Sequence, residues 1–184
     1  MIKIKPNTLE LIAEFAIRCI LERTNKGLDE DYKPFAPYSS KPFTMPYGAY
    51  IQNTTKSQRD KLKAKVVTGE DGKHYVVIQG GYKAFKAARF PQDNGIVNLQ
   101  VRGMRGGMLS SLDVISKGDN YIILGFYKSE HAELAEYHQV LGAGKGKTKR
   151  KFLGLNKRDI EEINELLSDS IEFKILDGQI IFEL

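Results

Sequence analysis

The sequence predicts an α+β fold, an antiparallel sheet built from hairpins and packed by an N-terminal helix and two later helices, with an extended aromatic and proline-rich arm. Three observations carry it. Apolar residues recur at helical spacing near the N-terminus, after Ser129 and after Asn156. Between these stretches lie β-branched runs joined by short turn sequences, the pattern of antiparallel strand pairs. Helices and hairpins also mix without the strand–helix–strand rhythm that a parallel sheet requires.

The first helix is introduced by Asn7 and Glu10, spaced as a capping pair. Leu9, Ile12, Phe15, Ala16, Cys19 and Ile20 then form one apolar face until Gly27 ends it. From Asp31 to Pro46, Pro34, Pro37, Pro42 and Pro46 oppose helix and favour extended backbone. Tyr32, Phe35, Tyr38, Phe43 and Tyr47 give that segment large apolar faces. The arm is expected to run over residues 31–64 and to need anchoring on its own domain or another chain. Residues 65–81 read as an inserted hairpin turning at Gly69 to Gly72.

Ile96 to Arg102, Leu112 to Ser116 and Tyr121 to Phe126 are expected to form the main sheet, the last two joined by the turn Lys117 to Asn120. Ser129 is expected to cap a helix with His131, Leu134, Ala135, His138 and Leu141 on one face, ending at Gly142. Residues 142–151 form a Gly/Lys loop. Asn156, with Asp159 three residues on, caps a last helix whose outer face carries Glu161, Glu162 and Glu165. Asp177 and Gly178 then turn a final hairpin. Together the 184 residues are read as one domain, long enough to bury about two-thirds of the unfolded surface.

Composition narrows the function. No apolar run approaches the roughly 20 residues that cross a bilayer, and the N-terminal stretch is interrupted by Glu10, Glu14 and Arg18, unlike a signal peptide. A soluble protein made in the cytoplasm is expected. The single cysteine, Cys19, permits no intrachain disulfide and reads as a small buried hydrophobe. A net charge of +5 is mild, but it is concentrated: Lys145, Lys147, Lys149, Arg150, Lys151, Lys157 and Arg158 occur without an acid between Gly142 and Arg158. These seven residues are candidates for contact with DNA or an acidic partner, although the macrodipole disfavours Lys157 and Arg158 in a helix's first turn.

Catalytic patterns fail on spacing. GAGKGKT lacks the glycine that a phosphate-binding loop carries five positions before its Gly-Lys pair, and it follows a helix rather than a strand. His131 and His138 are two helical turns apart, about 10 Å, too far to share a metal. No glycine-flanked nucleophile surrounds Ser110 and Ser111. The expectation is therefore a non-enzyme with no cofactor and no metal.

Three elements occur in order: a helix ending in RTNKGLD followed by PFAPYS, then VNLQVRGMRGGMLSSLDV, then AEYHQ with KFLGL before an acidic helix. In this combination the chain resembles tailed-phage virion morphogenesis (tail completion) proteins, and the resemblance spans most of its length. It implies a structural subunit of the virion neck, assembled as a six-fold or twelve-fold ring in the host bacterial cytoplasm. It further implies a portal-side connector or adaptor on one side, a tail tube or tail terminator on the other, and genomic DNA through the lumen. Carried onto this chain, it marks Phe35, Pro37 and Tyr38, and Phe152, Leu153, Gly154 and Leu155, as interface or anchoring positions. The chain departs from the family pattern at Lys56 to Gly81. A second reading, independent of any virion, is a basic nucleic-acid-binding module acting through the Gly/Lys-rich loop.

Overall fold

Leu9, Ile12, Ala13, Ala16, Ile20, Arg23 and Thr24 are all buried, and their spacing of three and four makes them one stripe of α1 (Thr8–Asn25). The helix stops as its sequence demands. Gly27, at φ +76°, turns the chain so that Gly27 N–H donates to the Thr24 carbonyl (3.0 Å) and Leu28 N–H to the Arg23 carbonyl (3.2 Å). The computed structural model describes residues 8–93, 96, 97, 99, 107–119, 121–142, 146–167, 172–176 and 179–183. After α1 come β1 (Phe43–Pro46), α2 (Tyr47–Asn53), α3 (Lys56–Asp60), β2 (Ala64–Thr68), β3 (His74–Ile78) and α4 (Gly81–Arg89). Then follow β4 (Leu112–Lys117), β5 (Tyr121–Phe126), α5 (Ser129–Glu136), α6 (Lys157–Leu167), β6 (Glu172–Leu176) and β7 (Gln179–Glu183). The α+β class with antiparallel sheets and an N-terminal helix is as the sequence predicts.

The chain, read from its sequence as one domain, divides into two compact units, residues 1–36 with 98–184 and residues 37–97. Each unit has its own sheet. The reason is visible in the second: the 65–81 hairpin is its centre rather than an appendage, because β3 pairs on one side with β2 and on the other with β1 from the arm. Pro46, which cannot donate to a ladder, lies in an edge strand, where that loss is tolerated. Tyr50, Val76, Ile78 and Phe85 form this unit's core, with Phe43, Met45, Leu62 and Ala84 packed against them.

The expected arm of residues 31–64 is corrected. Only its first part lacks secondary structure; from Phe43 onward it forms a strand and two short helices. Prolines stop before Tyr47, and Thr55 opens α3 through a capping box with Gln58. The arm's aromatics are anchored within the unit: Tyr38 meets Tyr82 edge-on at 5.2 Å, and Phe43 meets Phe85 at 5.8 Å.

In the first unit the sheet order is β4-β5-β7-β6, all antiparallel, with a register shift between Val114 and Ser116. Ile122 and Leu124 of the central β5 are fully buried, and α1 and α5 pack on that strand. The sheet therefore takes its third and fourth strands from the C-terminal hairpin. Of the strand expected at Ile96 to Arg102, residues 96, 97 and 99 lie in no strand and the others fall outside the described residues. The turn at Asp177 and Gly178, the cap at Asn7 and the Lys145 position also fall outside them.

Ser129 is not a cap. It is the first residue of α5, preceded by Lys128 without a side-chain cap bond. The helix also does not continue regularly to Gly142: residues Tyr137–Leu141 form a π-helical turn. That wider turn changes which residues face inward, burying Gln139 while leaving Leu141, expected on the packed face, about half exposed (49%).

Candidate functional site

The motif residues of the first unit converge on one buried cluster. Arg23, at the end of α1's apolar stripe, and Asp159, in the first turn of α6, form an ion pair at 3.0 Å with each side chain 1% exposed. A buried guanidinium needs acceptors beyond its ion pair, and the segment entering α6 supplies two of them to Nη2, leaving Nε without a partner. Arg23 Nη2 donates to the Phe152 carbonyl at 2.8 Å and to the Gly154 carbonyl at 2.6 Å.

Asp159 serves several partners at once. Its Oδ2 also accepts the Asn156 N–H (3.1 Å), while Asp159 N–H donates to Asn156 Oδ1 (3.0 Å), closing the cap that the sequence predicts. Its Oδ1 accepts the Tyr32 hydroxyl at 2.7 Å. The Tyr32 ring covers the Arg23 guanidinium at 5.5 Å from its centroid. Burial, then the hydrogen bond to Asp159, pushes the Tyr32 phenol up to about 12. Burial and the Asp159 and Glu162 charges push the half-buried Cys19 thiol up to about 11, so it is a poor thiolate near neutrality.

The other side of the 152–155 segment is held by Gln139. Its Oε1 accepts the N–H groups of Phe152 (2.9 Å) and Leu153 (3.1 Å), and its Nε2 donates to the Leu153 carbonyl (3.2 Å). The π-helical turn is what aims this amide inward. Phe152 and Leu153 are fully buried, Leu155 nearly so, and the Phe152 ring lies 6.3 Å from that of Phe126 on β5. A Cβ on Gly154 would press on the Glu30 side chain, whose carboxylate would have to swing aside.

This geometry reassigns several predicted residues. Phe152, Leu153, Gly154 and Leu155, expected as interface or anchoring positions, are buried within the first unit, in the segment that leads into α6. Phe35 is buried in the same unit, whereas Pro37 is exposed and Tyr38 half-buried, and both belong to the other unit.

The seven-residue basic run is also dispersed. Arg150 is buried and donates from Nε to the Ala36 carbonyl at 3.1 Å. Lys151 pairs with Glu30 (3.5 Å), Lys157 with Glu161 (3.5 Å) and Arg158 with Glu162 (3.0 Å). Those last two i,i+4 pairs account for cations at a helix start, offsetting a dipole cost of about 0.3–1 kcal/mol. Lys147 and Lys149 are exposed, and among the described residues neither has an acidic partner. The flanks of the Gly/Lys loop are drawn together by the Arg150 N–H donating to the His138 carbonyl at 2.8 Å.

Tyr137, Val140 and Leu141 are about half exposed on the π-helical turn that leads into this loop, and Tyr127, just after β5, is more exposed still. Sequence periodicity missed this apolar surface because it assumed an unbroken 3.6-residue repeat. His131 Nδ1 lies 2.6 Å from Ser111 Oγ, but Ser111 is fully buried and its hydroxyl donates to the Met108 carbonyl (2.9 Å). The direction of that contact depends on the imidazole tautomer: with the hydroxyl on the Met108 carbonyl, it is Nδ1–H that donates to the serine. Among the described residues no three His, Cys, Asp or Glu side chains converge as metal ligands, and no helix is long and apolar enough to cross a membrane.

Comparison of the chain with protein-family models, curated proteins and solved structures finds no match.

Proposed function

We propose that this chain is a structural, non-enzymatic subunit of a tailed-phage neck, forming a ring that completes the tail and joins it to the head-side connector. One observation carries the reading. RTNKGLD and KFLGL, two widely separated pieces of the resemblance, meet in a single buried cluster through Arg23, Phe152, Gly154 and Asp159. The resemblance thus rests on residues that act together, and their chemistry is that of a framework: Arg23 Nη2 holds the Phe152 and Gly154 carbonyls while Nη1 pairs with Asp159. The exposed Tyr127, Tyr137, Val140 and Leu141 supply apolar surface of the kind that neighbouring subunits cover.

In this role the partners are further copies of the chain, a portal-side connector or adaptor, and a tail tube or terminator protein, with genomic DNA in the lumen. The nucleic-acid-binding alternative is less well supported, because four of its seven cations are buried or paired with acids. The test is cryo-electron microscopy of particles from cells expressing the chain. Density for it as a ring at the head–tail junction is expected; particles complete without it would overturn the proposal.

A further inference from the structure

Residues 28–34 form a tight turn with its own internal bonding. Leu28 and Pro34 are bridged, Asp29 N–H donates to the Lys33 carbonyl (2.8 Å), and Asp29 Oδ1 accepts the N–H groups of Asp31 (3.0 Å) and Lys33 (2.8 Å). None of its side chains is fully buried. At its tip Tyr32 has φ +62°, a left-handed conformation unfavourable for a residue with an aromatic side chain. The strain is held by few outside contacts: the hydroxyl on Asp159, the ring on Arg23, Glu30 N–H on the Lys151 carbonyl (2.8 Å) and the Glu30–Lys151 ion pair.

We propose that the 28–34 turn is a strained latch that opens as a body, while α1 and the four-stranded sheet stay folded, uncovering the Arg23–Asp159 pair and Gly154. Regions with little buried apolar surface open at lower cost than the core, and release of Tyr32 relieves backbone strain. The internal bonds of Asp29 keep the turn intact as it moves, and the Phe35 side chain, buried just beyond it, fixes the hinge. Phenol ionisation drives the same opening. It places an anion beside Asp159 and near Cys19, against the opposing attraction of Arg23 and Arg158.

Amide hydrogen exchange on the full chain tests this. Glu30 N–H bonds outside the turn and Asp29 N–H inside it, so Glu30 is expected to exchange faster than Asp29, and both faster than Leu124 of β5. Tyr32→Phe removes the bond to Asp159 and is expected to accelerate Glu30 roughly tenfold without changing Leu124. The proposal is overturned if Glu30 exchanges no faster than Asp29, or if Tyr32→Phe leaves Glu30 unchanged. Should that variant fail to fold, the Glu30–Asp29 comparison in the unaltered chain decides alone.

Discussion

Arg23 and Asp159 lie 136 positions apart in sequence and 3.0 Å apart in space, and between them they tie the first helix, the 152–155 segment and the last helix together. Removing either partner leaves the other as an uncompensated buried charge. Asp159→Ala or Arg23→Ala is therefore expected to destabilise the first unit by about 3–5 kcal/mol, read as a lower midpoint in urea. Asp159→Asn, which retains the shape and an acceptor, is expected to lose less.

Gln139 satisfies three backbone groups of Phe152 and Leu153. Gln139→Leu preserves volume and deletes all three bonds, with an expected loss of about 2–4 kcal/mol. Gln139→Glu separates the acceptor role from the donor role: it still accepts from both N–H groups but cannot donate to the Leu153 carbonyl. Equal destabilisation by the two variants would contradict the bonding described.

Alkaline stability follows from Tyr32 and Cys19. Both groups are raised in the folded state, to about 12 and about 11, so the unfolded chain gives up these protons first as pH rises. Their contribution is complete below about pH 9, declines from there, and is gone above about 12. Tyr32→Phe is expected to make the fall in melting temperature over that interval shallower. An unchanged slope would separate the phenol from the buried pair.

Phosphate contact can be counted by salt dependence. If all seven basic residues neutralised phosphates, log K against log salt would have a slope near −6. With Arg150 buried and Lys151, Lys157 and Arg158 paired, a slope of roughly −2 to −3 is expected for duplex DNA. Lys147→Glu with Lys149→Glu should abolish most of it in fluorescence anisotropy.

Much of the local structure was legible because its causes are local. The Asn156–Asp159 cap, the Gly27 stop and the β2–β3 and β4–β5 hairpins are each specified within a few residues. The division into two units was not, since nothing near Phe43 announces that its strand will pair with β3. The helix after Lys128 misled for a different reason: a π-helical turn shifts the facing of the residues that follow, and periodicity is blind to a single wider turn. Arg23 was read only as part of a motif, although it falls on the same stripe as Ile12, Ala16 and Ile20. A charged residue in phase with an apolar face, followed by a glycine stop, was the available signal. The dispersal of the basic run could not have been read, because the partner of Lys151 lies in the distant 28–34 turn and Arg150 bonds to Ala36, near the start of the arm.

A β-strand laid against a neighbour can slide by two residues and find the same bonds again. The 152–155 segment has no such freedom. Its backbone is gripped by the ends of two side chains, Gln139 and Arg23, each rooted in a helix, so its alignment is set by where those helices stand. An insertion or deletion of a single residue between Arg150 and Asn156 has nowhere to be absorbed. It would leave an amide and a guanidinium facing the wrong atoms, and the last helix would lose its starting point.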